Sequence, residues 1–347
     1  MSNLKISICI PQYNRIEYLQ INLQHIALQD YSDIEVIVSD DASTDDTADE
    51  IAQLQKSYPF PLTYFKFEKN EGYDRNLRKS LELATGDYCF ILGNDDALCD
   101  SGVITRLANF LTDSNFPDVG FCNSADFIKK DDIQIRAQQT GIIGSGEKVA
   151  LKFYSSFSFV AGLIFKKSAF NSVNTAKLDG SIYVQIYLAT LIIIRGGKLF
   201  TIEEPLILKD IRVNNDIANS YLDTLPREKH EFKVLDAGLP SYAHVCALAF
   251  KDAGLNSKAY YYKVIRRIYL FTYPFWLFDY RSNNARIAAL GLKMGLKLEC
   301  FRDHEQFQGL SRLKLKFYYH LSTILGLHIP IPIFNSLKKI LYKVAKS

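Results

Sequence analysis

Asp95 and Asp96 follow directly on the apolar run Tyr88-Cys89-Phe90-Ile91-Leu92, which reads as a buried strand. Two adjacent carboxylates repel each other unless a cation sits between them. In an open α/β sheet the carboxyl ends of the strands are where ligands bind, so a divalent metal holding a diphosphate would give this pair a role. Three other apolar runs end in similarly polar groups: Pro11-Gln12-Tyr13-Asn14-Arg15, Asp40-Asp41 and Asn70-Glu71-Gly72. Brought to one edge of a parallel sheet, they supply an aromatic ring, a carboxylate for a base or ribose, cations for phosphates and a carboxylate for a metal. Those are the components of a nucleotide-diphosphate site. The competing reading is a solvated turn, because Gly93-Asn94-Asp95-Asp96 is also good turn chemistry. No GxGxxG follows the first strand and no GxxxxGK[ST] occurs anywhere, which argues against a dinucleotide fold and a P-loop.

These groups need a scaffold, and the first part of the chain supplies an alternating one. Strands are expected at Ile6–Ile10, Ile34–Ser39, Leu62–Phe67, Tyr88–Leu92 and Val119–Asn123. Helices are expected between them, over Arg15–Ala27, Thr44–Ser57, Asp74–Ala84 and Gly102–Leu111. Continuous apolar strands alternating with helices predict a mostly parallel sheet covered on both faces. Ser43 or Thr44 can cap the second helix, with Asp45 and Asp46 in its first turn. Residues 126–146 are polar and irregular, as for a loop or hairpin over the site. A strand over Phe157–Lys166, an apolar helix over Tyr183–Arg195 and a strand over Lys198–Ile202 are expected next. After about Asn214 the pattern becomes mostly helical.

The chain has 347 residues, 48% of them hydrophobic and 23% charged, which places it among globular proteins. The six cysteines form no CxxC pair and read as reduced thiols. The opening residues lead straight into a strand, with no apolar signal segment, so the catalytic part is expected in the cytoplasm. Net charge is +3, but residues 258–347 carry sixteen Lys or Arg against four Asp or Glu. An acidic body and a basic, aromatic tail suggest two surfaces with different partners.

Ile8-Cys9-Ile10-Pro11-Gln12-Tyr13-Asn14-Arg15, Val38-Ser39-Asp40-Asp41-Ala42-Ser43-Thr44-Asp45, Asn70-Glu71-Gly72 with Arg75-Asn76, and Ala84-Thr85-Gly86-Asp87-Tyr88 leading to Asp95-Asp96 occur in this order. Over roughly residues 5–210 this resembles the family 2 glycosyltransferases of the GT-A fold. Asp74-Arg75-Asn76 and Gly93-Asn94-Asp95-Asp96-Ala97-Leu98 look most like the abequosyltransferase-type members of O-antigen clusters. The resemblance implies a metal-assisted transferase that moves a sugar from a nucleotide-diphosphate-sugar donor to a hydroxyl of a glycan, expected to be lipid-linked, in O-antigen or capsule-type synthesis. It implies that Pro11, Tyr13 and Arg15 line the nucleotide pocket, that Asp41 accepts from the base, that Arg75 lies near the diphosphate and that Asp95 meets the ribose. Asp96 would coordinate Mg²⁺ or Mn²⁺. The family's general base is an Asp ahead of a helix. At that place this chain has Tyr183-Val184-Gln185, and Gln185 cannot act as a base. Asp179 is the nearest carboxylate, with Asp126 and Asp210 as further options.

The expected organisation is a catalytic domain over residues 1–215 and a helical, basic and aromatic region over 216–347. Phe317–Leu337 contains no Asp, Glu, Lys or Arg, while Pro330, Pro332, His320, His328 and Asn335 argue against a straight spanning helix. Helices lying in a membrane surface fit these residues, and each Lys or Arg near an anionic leaflet adds about 1 kcal/mol. The protein is therefore expected on the inner face of the cell membrane, without nucleic-acid binding. Packing on the sheet or a homo-oligomer interface is the competing use of the same helices. A nucleotidyltransferase and a non-catalytic nucleotide-sugar-binding scaffold are the competing functions.

Overall fold

The computed structural model describes residues 4–218, 234, 238–283 and 285–336. The chain divides into two compact units, Met1–Ala218 and Asn219–Ser347. The first unit runs β1 (Ile6–Gln12), α1 (Ile16–Ala27), β2 (Ile34–Asp40), α2 (Thr47–Leu54), β3 (Leu62–Lys66), α3 (Tyr73–Leu83) and β4 (Tyr88–Ile91). It continues through β5 (Ala97–Leu98), α4 (Val103–Asp113), β6 (Val119–Asp126), β7 (Ile133–Gln134), β8 (Gly141–Gly144), α5 (Glu147–Phe153), β9 (Leu163–Lys166), α6 (Lys167–Val173) and α7 (Val184–Ile194). It closes with β10 (Leu199–Lys209), β11 (Arg212–Val213) and β12 (Asp216–Ile217).

The strand order of the main sheet is β3-β2-β1-β4-β9-β6-β10-β5. β1 pairs in parallel with β2 on one side and with β4 on the other, and β3 extends the parallel set. The chain therefore winds outward from β1, returns, and continues on β1's other side. In open α/β sheets the ligand crevice lies outside the carboxyl ends of the strands at such a reversal, which here falls between β1 and β4. β9 pairs antiparallel with both β4 and β6, so the far half of the sheet is mixed. Ile6, Ile8, Ile10, Val36, Val38 and Phe90 of the central strands pack with Leu19, Leu23 and Ile26 of α1 and Leu107 of α4. Complete burial of a side chain such as Phe90 stabilises by about 2–3 kcal/mol.

The expected strands and helices around the crevice are present, with altered bounds elsewhere. α2 begins at Thr47, later than expected, because Ser43 is engaged otherwise: its Oγ accepts from Asn14 N at 2.7 Å and it also bonds the Asp40 carboxylate. The expected strand at 157–166 shrinks to β9, since residues 154–157 form a 3₁₀ turn and Gly162 takes a φ of 76°. The expected strand at 198–202 extends to Lys209, passing an irregularity at Pro205. The irregular stretch 126–146 holds β7 and β8, which join the sheet beside β6 and β10.

The second unit is helical: α8 (Leu239–Asp252), α9 (Ser257–Arg267), a π turn over Ile268–Thr272, α10 (Tyr273–Ser282), α11 (Arg286–Gly295) and α12 (Gly309–His328). An aromatic interior holds it together. Tyr273 stacks on Tyr319 at 5.8 Å, and its hydroxyl bonds Thr323 at 2.8 Å. No described helix is long and apolar enough to cross a membrane. Leu337, Lys338, Lys339, Lys343 and Lys346 lie outside the described residues.

Candidate active site

The acidic turn after β4 is held in shape through its backbone. Asn22 faces inward from α1 and donates its amide to Gly93 O and to Asp96 O, both at 2.7 Å. Asp96 N closes the turn on Gly93 O at 3.2 Å. From the far side β10 delivers Asp210 and Ile211, and Ile211 N donates to Asp95 O at 2.9 Å. Gly93 is required by crowding: a Cβ there would lie 2.5 Å from Asp96 Oδ2.

The carboxylates of this turn are electrostatically strained. Burial first, and then the neighbouring charge of Asp95, push the Asp96 carboxyl well above the usual carboxylate range. The Asp210 amide and Lys209 offset part of this, while the Asp210 charge adds to it. Burial also raises Asp95, against the opposing pull of Arg15, whose Nη1 lies 3.4 Å from Asp95 Oδ2. A hard dication with oxygen ligands is the chemical complement of such a set. Among the described residues no three His, Cys, Asp or Glu side chains are grouped to hold an ion by themselves. A Mg²⁺-type ion takes one or two protein carboxylates and fills its shell with substrate phosphates and water, and Asp96 is the residue that would hold one here.

The carboxyl end of β1 is wired into this turn. Gln12 is fully buried, and its Oε1 accepts from Asn94 Nδ2 at 2.8 Å, which bridges the strand ends at the switch point. Its Nε2 donates to the Asn14 carbonyl and to Thr47 Oγ1. Asn14 and Arg15 both take left-handed backbone angles, with φ of 53° and 62°. Asn14 Oδ1 accepts from Thr44 N at 2.9 Å, which pins this bend to the turn after β2. Tyr13 projects from the bend and is 47% exposed. Pro11 lies within β1 opposite Ser39 of β2.

The other expected residues are engaged as follows. Asp41 is buried, and its two oxygens accept from the amides of Glu71 at 2.7 Å and Gly72 at 3.0 Å. Burial raises its pKa, and those two amides pull it back in part. Asp41 thus fastens the loop that enters α3. Arg75 turns away from the strand ends to Glu82, at 3.1 Å. Asp179 receives Arg78 Nε at 2.8 Å and Nη2 at 2.6 Å, a bidentate pair farther along α3. Asp126 accepts from the amides of Ile128 and Lys129 and braces its own loop. Gln185, where a base was expected, is buried, and its Oε1 has no hydrogen-bond partner among the described residues. Asp74 bonds Ile182 N at 2.6 Å and Val184 N at 3.1 Å, so it satisfies the start of α7.

Gln12, Asp74 and Asn94 stand in the motifs quoted above but carry no role of their own there, and Asn22 stands outside those motifs. A signal existed for Asn22: it falls on the buried face Leu19-Asn22-Leu23-Ile26, where a polar residue must find partners.

Residues 7–173 match the model of the glycosyl transferase family 2. The abequosyltransferase RfbV of Salmonella typhimurium is 32% identical over 230 residues, 61% of this chain and 67% of that protein. The chain is a family 2 glycosyltransferase. The glycosyltransferase is also 34% identical over 103 residues to the GalNAc(5)-diNAcBac-PP-undecaprenol beta-1,3-glucosyltransferase of Campylobacter jejuni, 30% of this chain and 33% of that one. Among solved structures, S. aureus TarS 1-349 in complex with UDP superposes with a TM-score of 0.58 at 14% identity, covering 97% of this chain and 92% of that one. The mannosyltransferase PcManGT of Pyrobaculum calidifontis in complex with GDP-Man and Mn²⁺ gives 0.51 at 16%, covering 100% and 86%. These likenesses identify the fold of the glycosyltransferase as GT-A.

Proposed function

We propose that this glycosyltransferase moves a sugar from a nucleotide-diphosphate-sugar to a hydroxyl of a lipid-linked glycan, in O-antigen or capsule-type polysaccharide synthesis at the inner face of the cell membrane. The observation that carries the proposal is the buried, backbone-clamped Asp95-Asp96 turn at the switch point of the sheet. The names of the relatives support the substrate class: one is an abequosyltransferase, and another acts on an undecaprenol-linked glycan. Neighbours of the same fold were solved with UDP and with GDP-Man and Mn²⁺.

In this reading Pro11, Tyr13 and Arg15 border the nucleotide, with the exposed Tyr13 ring packing near the base. Asp41 shapes the base-side wall by holding the Glu71-Gly72 amides. Asp95 meets the ribose, and Asp96 holds the metal. A Mg²⁺ or Mn²⁺ ion there would supply positive charge against the charge that develops on the departing nucleoside diphosphate. Arg75 reaches a phosphate once it leaves Glu82. Asp179 takes the acceptor's proton once the Arg78 pair opens. Asp179→Asn is then expected to abolish transfer with donor affinity unchanged; a lowered melting temperature with transfer retained would make Asp179 a brace for Arg78.

The deciding experiment is calorimetric titration with UDP, CDP, GDP and dTDP, with and without Mn²⁺, on wild type and Asp96→Ala. One nucleotide is expected to bind in a metal-dependent manner, with loss in the variant. Binding of none of the four would sink the donor site.

A further inference from the structure

The outward side of α12 is unlike a solvated surface. The helix buries Leu315, Tyr319, Ser322, Thr323 and Gly326, which share one face at helical spacing. Gly326 lies so close to Leu277 of α10 that a Cβ would approach it to 2.6 Å. Arg281 secures the helix end by donating to Gly326 O at 2.6 Å and Ile329 O at 3.0 Å. The inward face of α12 is therefore fixed.

Directly opposite, Leu310, Leu313, Phe317, Leu321 and Ile324 recur every three or four residues and are 67, 66, 61, 36 and 59% exposed. One exposed leucine is ordinary, but an unbroken apolar row of roughly 20 Å along a single helix marks a contact surface. α12 contains no Asp or Glu; its charged residues are Arg312, Lys314 and Lys316. Arg312 and Lys316 reach Glu299 at 3.2 and 3.0 Å, while Lys314 is exposed beside the row. The segment 258–347 around it has sixteen basic residues and four acidic ones.

We propose that α12 lies flat on an anionic lipid bilayer, with the row from Leu310 to Ile324 seated among the acyl chains and Lys314 at the headgroups. Charge complementarity favours lipid over a second helix. Helix pairs select each other with flanking charges of both signs, whereas this helix carries one sign only. An apolar face bordered by an exposed lysine, on a helix with no acid of its own, is the pattern of an interfacial helix. The surface deepens the reading of a lipid-linked acceptor given above, because it would hold the enzyme at the plane where such an acceptor resides.

The test is co-sedimentation of the full-length protein with vesicles of phosphatidylcholine alone or mixed equally with phosphatidylglycerol, with no nucleotide and no glycan present. Wild type is expected to pellet with the anionic vesicles and to release as salt rises. Phe317→Ser with Ile324→Ser should weaken binding by about tenfold or more, and Lys314→Glu by about fivefold. The melting temperature should hold, since these side chains lie outside the packed interior. Equal pelleting of wild type and the double variant would overturn the proposal, as would no pelleting of wild type. A dimer in sedimentation velocity that the double variant dissociates, with vesicle binding unchanged, would instead assign the row to a second copy of the chain. The vesicles hold neither donor nor acceptor, so this result and the nucleotide titration fail independently.

Discussion

Two buried carboxyl groups occupy opposite ends of the same three strands, and their environments differ sharply. Glu35 lies near the amino end of β2, across from Ser7 of β1. It receives Ser7 Oγ at 2.6 Å, Thr85 N at 2.6 Å, Thr85 Oγ1 at 2.7 Å, Gly86 N at 3.1 Å and the Lys5 ammonium at 2.8 Å. Burial pushes its pKa up, but those donors outweigh it and bring the carboxyl from its ordinary 4.5 down to about 2. At the carboxyl end, Asp96 has burial and two acidic neighbours pushing it the other way. A fold that can satisfy a buried acid with five donors at one end leaves another under-compensated at the other. The first arrangement ties β1, β2 and the approach to β4 together, and the second holds negative charge in reserve for something the chain does not itself contain.

The comparison breaks most visibly at Asp96. Asp96→Asn should lower transfer by at least about 100-fold, the scale of losing a group aimed at developing charge. Folding should respond in the opposite direction. A carboxyl with a raised native pKa weakens the fold as pH climbs through that pKa, so removal of its charge should raise the metal-free melting temperature at neutral pH. A fall in that temperature would show that Asp96 is structural.

Glu35→Gln should leave nucleotide binding unchanged and cost about 3 kcal/mol of stability at pH 7, the size of a shift from 4.5 to about 2. The sign follows from the depressed pKa: Glu35 stabilises above its unfolded value and loses that contribution as pH falls toward about 2. Wild type should therefore lose stability between about pH 4.5 and 2 more steeply than Glu35→Gln. Parallel curves in an acid titration followed by circular dichroism would remove Glu35 from this role.

Gly93→Ala gives the smallest expected effect and the sharpest resolution. Its Cβ would press on Asp96 Oδ2 at 2.5 Å, so about a tenfold loss in kcat/KM should accompany only about 1–2 kcal/mol of destabilisation. An unchanged kcat/KM would mean that the placement of the carboxylate is unimportant.

The scaffold was legible in the sequence where the physics is local. The interior of β1 and β2 is mostly apolar and β4 is apolar along its length, helices fill the gaps, and the acids after β2 and β4 mark the ligand edge. α2 starts at Thr47 and not at Thr44 because Ser43 and Thr44 are tied to Asn14, distant in sequence, while Asp45 reaches Ile16 N at 3.0 Å with one oxygen and meets Thr47 N at 3.2 Å with the other. Arg75 and Asp179 illustrate the same limit. A motif position sets where a residue starts, but Glu82 on the same helix face and Arg78, 101 positions from Asp179, decide where the side chains point. Gln12 and Asn94 could not be selected because each is one polar residue whose partner becomes evident only once β1 and β4 are adjacent.

The clamp by Asn22 has a consequence for how such a site can diversify. Asn22 grips the turn by two main-chain carbonyls, Gly93 O and Asp96 O. The grip is therefore blind to what the turn displays. Substitution at positions 95 and 96 can therefore change what the turn presents to a ligand while the Asn22 bonds to its main chain are kept.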